Sequence, residues 1–236
     1  MIPMSKSDIK YLVGSEKIIC RPFPIFSDIA IRYLDDLSKE LRNDAEARSY
    51  PDVMTFAFWC RKANTIRLKE EYASKFPRIG KGICFHIAPS NVPINFAFSY
   101  AFGVLAGNGN IVRVSEKDFR QIKIVCRILN KLFENQEYKT IAEQTQIVSY
   151  GHDKDINDYY SDICSTRIIW GGDNTINEIR RSPIGTRTTE ITFADRFSFA
   201  IFDENTINDM SEDDLRQLSE KFYNDTYLMD QNACSS

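Results

Sequence analysis

Three stretches of this sequence place reactive or hydrogen-bonding side chains where the backbone would hold them. The first is Ala88-Pro89-Ser90-Asn91-Val92-Pro93, followed by Asn95. An asparagine between two prolines sits in a rigid loop, its amide ready to donate hydrogen bonds. The second, Ile111-Val112-Arg113-Val114-Ser115-Glu116, is an apolar run ending in a cation, a hydroxyl and a carboxylate. The third runs from Tyr227 to Ser236 and carries the thiol of Cys234; a thiolate is a nucleophile. Gly103, Gly107 and Gly109 lack GxGxxG spacing and end an apolar helical run instead of starting one. The glycines alone therefore do not mark an ordinary dinucleotide fold. The six cysteines, Cys20, Cys60, Cys84, Cys126, Cys164 and Cys234, include no CxxC pair, and only His86 and His152 could add imidazoles. No metal site is expected. The first five cysteines read as small buried hydrophobes and the two histidines as structural residues.

The elements that must position these residues follow from apolar spacing. Ser27 can cap a helix with Ile29, Tyr33, Leu34, Leu37 and Leu41 on one face. Pro51 suits the first position of a second helix, whose face runs Val53, Phe56, Ala57, Cys60 and Ala63. Ile83 to Ala88 reads as a buried parallel strand, Phe96 to Ala106 as a buried helix and Ile111 to Val114 as a second strand. Asp118 to Glu134 is a strongly periodic helix. Strands are expected at Thr145 to Ser149, Arg167 to Trp170, Glu190 to Phe193 and Phe197 to Phe202. Helices are expected at Asp173 to Arg180 and Ser211 to Phe222. Strands alternating with helices imply a doubly wound, mostly parallel α/β sheet, here with an N-terminal helical segment. Such sheets bind ligands in the loops at the carboxyl ends of their strands, here after Ala88, Val114 and Trp170.

The 236 residues are 43% hydrophobic and 27% charged, ordinary for a folded protein. A net charge of -3 gives no bulk attraction to nucleic acid or anionic membrane. No window approaches the ~18 apolar residues of a membrane span. The N-terminus lacks the basic-then-apolar layout of a signal peptide, so a cytoplasmic location is expected.

Several motifs, in order, carry a family resemblance. Pro-Ser-Asn-Val-Pro at 89–93, the run Leu105-Ala106-Gly107-Asn108-Gly109-Asn110-Ile111-Val112-Arg113-Val114, and the Cys234 context resemble the aldehyde dehydrogenase superfamily. Four stretches resemble, more narrowly, the bioluminescence (LuxC-type) long-chain fatty acyl-CoA reductases. They are Tyr50-Pro51-Asp52 with Phe56-Ala57-Phe58-Trp59; Phe85 to Asn91; Trp170-Gly171-Gly172-Asp173; and Thr192-Phe193-Ala194-Asp195-Arg196. The likeness runs from about Tyr50 to the last residue.

The resemblance implies roles position by position. Cys234 matches the nucleophile, and Asn91 the asparagine that helps form the oxyanion hole. Glu190 falls where hydrolytic relatives keep a general base. Arg113, beside Ser115 and Glu116, stands where relatives usually carry a lysine near the adenosine ribose, and an arginine there suits the 2'-phosphate of NADPH. Gly172 matches the glycine near the cofactor pyrophosphate, with Asp173 opening the next helix. On the residues alone, Asn91 also suits a loop cap, Arg113 with Glu116 a solvated pair, Gly172 a turn, and Glu190 a structural carboxylate.

The expected reaction is reduction of a long-chain fatty acyl-CoA to the aldehyde by NADPH through an acyl-cysteine. The expected partners are the acyl-CoA or an acyl-protein synthetase, with a homo-oligomer in a full-length form. Residues 1–78 are expected as a helical segment packed on the main domain, 79–233 as the NADP-binding domain, and 234–236 as the start of a catalytic domain. On that division the 236 residues are at best a cofactor-binding half. The rival readings are a catalytically silent nucleotide-binding fragment and an NAD(P)-dependent aldehyde dehydrogenase in which Glu190 activates water.

Overall fold

Ser27 opens the first long helix through its own side chain, its Oγ accepting from the Ala30 N–H at 3.4 Å. The structure is a computed structural model that describes residues 9–194 and 199–227. The first strand, β1, is Lys10–Val13, and the helix after Ser27, α1, is Asp28–Asn43. Tyr33, Leu34, Leu37 and Leu41 on its inner face are fully buried. Each aliphatic side chain so buried contributes about 1.5–3 kcal/mol.

The expected second helix is in fact two. α2 spans Pro51–Trp59 and α3 spans Lys62–Glu71. Between them Arg61 turns to φ -57°, ψ 143°. Asp35 of α1 accepts the Lys62 N–H at 2.9 Å, so a tertiary contact satisfies the new helix start. The apolar spacing from Val53 to Ala63 could not show that break.

The central unit alternates strand and helix: β2 (Ile83–Ile87), α4 (Asn95–Leu105), β3 (Gly109–Val114), α5 (Arg120–Leu132), α6 (Lys139–Glu143) and β4 (Thr145–Ser149). Then come α7 (Lys154–Ile163), β5 (Thr166–Trp170), α8 (Asp173–Arg180) and β6 (Thr189–Phe193). The sheet order is β1-β4-β3-β2-β5-β6. All pairs are parallel except β1 with β4, which is antiparallel. This is the expected mostly parallel α/β architecture, with β1 a short edge the apolar pattern did not reveal.

α4 lies on one face of the sheet with α1 and α5, and their side chains share a core with α2. α7 and α8 pack on β2 and β5, where Phe85 meets Tyr160 with ring centroids 5.3 Å apart. Among the described residues no helix is long and apolar enough to cross a membrane.

The chain divides into two compact units, Met1–Phe193 and Ala194–Ser236. The second holds α9 (Glu204–Asn208) and α10 (Glu212–Thr226), the latter capped by Ser211 Oγ on the Asp214 N–H. The strand expected over 197–202 is not formed in its described part: 199–202 carry no regular structure, and Phe199 and Ile201 are largely exposed. An apolar run makes a strand only where a neighbour takes its backbone hydrogen bonds, and among the described residues no strand pairs with 199–202.

Candidate functional site

β2 and β5 are neighbours, yet the chain leaves them toward opposite faces: through α4 after β2 and through α8 after β5. That divergence opens a crevice at their carboxyl ends, the place where open α/β sheets bind ligands. The loop after β2 carries Pro89, Ser90 and Asn91, with Asn91 exposed and Pro93 buried beneath it. The turn after β5 carries Gly171 and Gly172, and Gly172 is the N-cap of α8. Having no side chain, Gly172 leaves the first-turn amides of α8 without a side-chain cap, the arrangement that favours an anion. Asp173 stands in that first turn and opposes a phosphate there.

Arg113 lies one residue before the end of β3, in register with Ile87 of β2 and Val148 of β4. Its Nη2 donates to the carbonyls of Tyr150 (3.3 Å) and Gly151 (3.0 Å), and its guanidinium stacks 4.7 Å from the Tyr150 ring centre. Arg113 Nε is buried with no hydrogen-bond partner. A buried donor left unmade is costly, so this atom calls for an oxygen from outside the chain. Glu116 is exposed, with Oε2 lying over Gly151. Ser115 Oγ accepts from the Lys117 N–H at 3.1 Å, and Lys117 Nζ reaches back to the Ser90 carbonyl at 3.5 Å. The loops after β2 and β3 are thus joined.

The structure therefore brings Asn91, Arg113, Ser115, Glu116, Gly172 and Asp173 to one edge. It does not bring Glu190 there. Glu190 is the second residue of β6, in register with Arg167 near the amino end of β5. Its Oε2 accepts from Nε (2.9 Å) and Nη2 of Arg167, and its Oε1 from Arg180 Nε at 2.7 Å. Burial pushes the Glu190 carboxyl up, but the hydrogen bonds from Arg180 and Arg167 outweigh it and hold the group below the usual carboxylate range. Such a carboxylate is a poor proton acceptor. Cys234 lies outside the described residues.

One feature of the edge had no counterpart in the apolar pattern. Trp170 stacks on Phe193, ring centroids 3.8 Å apart and planes 9° off parallel. Its indole Nε1 donates to Ser99 Oγ at 3.2 Å. Ser99 Oγ lies 2.8 Å from His86 Nδ1, and His86 Nε2 lies 3.0 Å from Asn110 Oδ1. Asn110 Nδ2 in turn donates to the Asn108 carbonyl at 2.9 Å. Burial lowers the His86 pKa to about 4, so the ring is neutral at pH 7. In that form Nε2–H donates to Asn110 Oδ1 and Nδ1 accepts from Ser99 Oγ. The cue in the sequence was Ser99, a lone hydroxyl on the inward face of an otherwise apolar helix.

The other thiols contrast with a reactive cysteine. Cys60, Cys84, Cys126 and Cys164 are buried and Cys20 half-buried, and burial raises the pKa of each, that of Cys84 to about 12. Thiols so placed are inert as nucleophiles.

A family model described as "Acyl-CoA reductase (LuxC)" matches residues 65–236. No curated protein matches the chain in sequence. Among solved structures, the chain is similar to a proline utilization A protein with proline bound in remote sites, with TM-score 0.56 and 15% identity, covering 71% of this chain and 20% of that one. It is similar to lactaldehyde dehydrogenase from Escherichia coli, with TM-score 0.55 and 14% identity over 71% and 39% of the two chains. It is also similar to an NAD-dependent benzaldehyde dehydrogenase from Corynebacterium glutamicum, with TM-score 0.50 and 11% identity over 71% and 40%. These likenesses show a shared aldehyde dehydrogenase fold. The chain spans 20% to 40% of the length of these three solved chains.

Proposed function

The chain belongs to the acyl-CoA reductase (LuxC) family, and on that premise we propose that it serves the reduction of a long-chain fatty acyl-CoA to the fatty aldehyde with NADPH. The observation that carries this reading is the convergence of the Asn91 loop, the Arg113 strand end and the Gly172 turn on the β2/β5 crevice. The unpartnered Arg113 Nε and the uncapped start of α8 fit a ligand bearing phosphates and ribose. In this reading Arg113, Ser115 and Glu116 hold the adenosine end of NADPH, and Gly172 and Asp173 border its pyrophosphate. When bound, that cofactor supplies the hydride.

The protein's own groups carry the acyl chemistry. The Cys234 thiolate attacks the thioester carbonyl, the carbonyl π electrons move onto oxygen, and collapse expels CoA thiolate to leave an acyl-cysteine. The Asn91 amide and the Cys234 backbone N–H hold the developing oxyanion, a contribution of about 2.7–4 kcal/mol for one such donor. Asn91 suits that role because Pro89 and the buried Pro93 restrict its loop. An acyl-protein synthetase is the partner that would deliver the acyl group. Glu190 takes no part: both its oxygens are engaged by arginines at the other end of the strand. The oxidative reading, which needs Glu190 to activate water, therefore loses its base.

The test is the intact mass of the chain after incubation with a long-chain acyl-CoA, beside Cys234→Ala. One acyl adduct on the wild type and none on the variant is the expected result. An adduct that survives in Cys234→Ala, or none on a folded chain that binds NADPH, would overturn the acyl-cysteine assignment; the second result would point to a silent nucleotide-binding unit.

A further inference from the structure

A second concave surface lies at the opposite, amino edge of the sheet, just before β2 and β3. It has a volume of about 540 Å³, within the ~300–1,000 Å³ of small-molecule pockets. Phe26, Tyr72, Ile79 and Phe102 wall it, with Arg78 and Lys81 at its rim, and none of its lining residues carries a negative charge. Ile79 is 67% exposed and Phe102 48%, a concentration of apolar surface that folding alone does not favour. Phe26 has φ +49°, the one non-glycine residue in the left-handed region among the described residues. That backbone turns its ring onto Tyr72, with centroids 6.2 Å apart and planes 15° off parallel. Strain of this kind persists where surrounding structure demands it, and it clusters at ligand-binding surfaces.

We propose that this groove binds a free long-chain fatty carboxylate, tail against Phe26, Tyr72, Ile79 and Phe102 and head between Arg78 and Lys81. Charge complementarity selects that occupant. A neutral hydrocarbon would leave two cations without a counter-charge, and a cationic amphiphile would be repelled. A peptide strand would find few backbone partners: Asn108 Oδ1, a polar acceptor of the lining, already takes the Lys81 and Gly82 N–H groups. The rim cations keep donors to spare. Arg78 uses one Nη2 contact to the Tyr72 carbonyl out of five N–H groups, and Lys81 one to Thr189 out of three. β2 and β3 separate this groove from the crevice, about 15 Å at ~3.3 Å per strand residue. The proposal is independent of the catalytic reading.

The experiment titrates the full chain with tetradecanoate below its micelle concentration, by calorimetry, beside tetradecanol and tetradecyltrimethylammonium. One tetradecanoate per chain is expected, about tenfold or more tighter than the alcohol, with no binding of the cation. The double variant Arg78→Glu/Lys81→Glu and, separately, Phe102→Asp should each weaken it about tenfold or more; each variant is first shown to be folded by circular dichroism, since Phe102 also packs edge-on against Trp59 with ring centroids 4.9 Å apart. Asn91→Ala should bind as wild type does. Absence of saturable binding, equal affinity for all three amphiphiles, or loss in Asn91→Ala with none on charge reversal would overturn the proposal; the last would place the ligand in the carboxyl-edge crevice.

Discussion

Replacing Glu190 by glutamine tests whether this carboxylate belongs to stability or to chemistry. Arg167 is a nearly dry cation, its side chain 2% exposed, and Glu190 is its counter-charge. The remaining donors of Arg167 reach Ser161 Oγ at 3.0 Å and the Ile179 and Ser182 carbonyls at 3.3 and 2.7 Å. The guanidinium so joins α7 and α8 to β5 and β6. Removing one member of a buried pair costs about 3–5 kcal/mol, and the amide oxygen of glutamine keeps one acceptor worth about 1 kcal/mol. A net loss of about 2–4 kcal/mol is expected, or about 5–15 °C in thermal midpoint for a chain of this size. Arg180→Ala, which removes the exposed partner, should cost under about 1 kcal/mol. The apolar pair Arg167→Met/Glu190→Leu should recover only part of the loss: it removes both charges together but leaves Ser161 Oγ and the Ile179 and Ser182 carbonyls without their donor. The sign with pH is also set. The Glu190 pKa is lowered by folding, so its stabilisation is present above the unfolded value near ~4.3 and fades as pH falls through the folded value. The gap between wild type and Glu190→Gln, followed by circular dichroism, should therefore narrow below about pH 4. A Glu190→Gln midpoint within about 1 °C of wild type would refute the clamp. Loss of turnover with stability intact would return Glu190 to the chemistry.

Three further outcomes follow from the same geometry. The His86 pKa is lowered to about 4 by burial, against ~6.5 unfolded, so its neutral form contributes about 3 kcal/mol that is present above ~6.5 and lost as pH falls toward 4. Urea midpoints at pH 7 and 4.5 should show that drop in wild type and much less of it in His86→Gln; an equal drop in both would sink the assignment. Gly103→Ala would set a Cβ 1.8 Å from Asn110 Oδ1, a side chain held in the hydrogen-bonded chain to His86. A loss of about 1–3 kcal/mol in chemical denaturation is expected, and a neutral result would mean the network yields. Arg113→Ala should weaken NADPH more than NADH in equilibrium binding, and equal losses would remove the 2'-phosphate from this residue.

The legible parts of the fold are those whose cause is local. Ser27 before an amphipathic run, Pro51 at a helix start, Ser211 ahead of acidic residues and the alternation of apolar runs with helices all act within a few residues of chain. They suffice for a mostly parallel α/β sheet and for loops at Asn91, Ser115 and Gly172. The edge that gathers those loops was legible too, because a parallel sheet puts every carboxyl end on one side. What only the tertiary structure decided depends on residues far apart in sequence. Asp35 splits a continuous apolar stripe into α2 and α3 by capturing the Lys62 N–H. The register of β5 with β6 sets Glu190 against Arg167 and withdraws it from the crevice, an outcome no spacing along the chain encodes. Trp170, Ser99, His86 and Asn110 become one hydrogen-bonded chain because α4 crosses the sheet above β2, β3 and β5. A hydrogen bond needs its two atoms within about 3 Å, and the packing of whole elements alone sets such distances between residues remote in sequence.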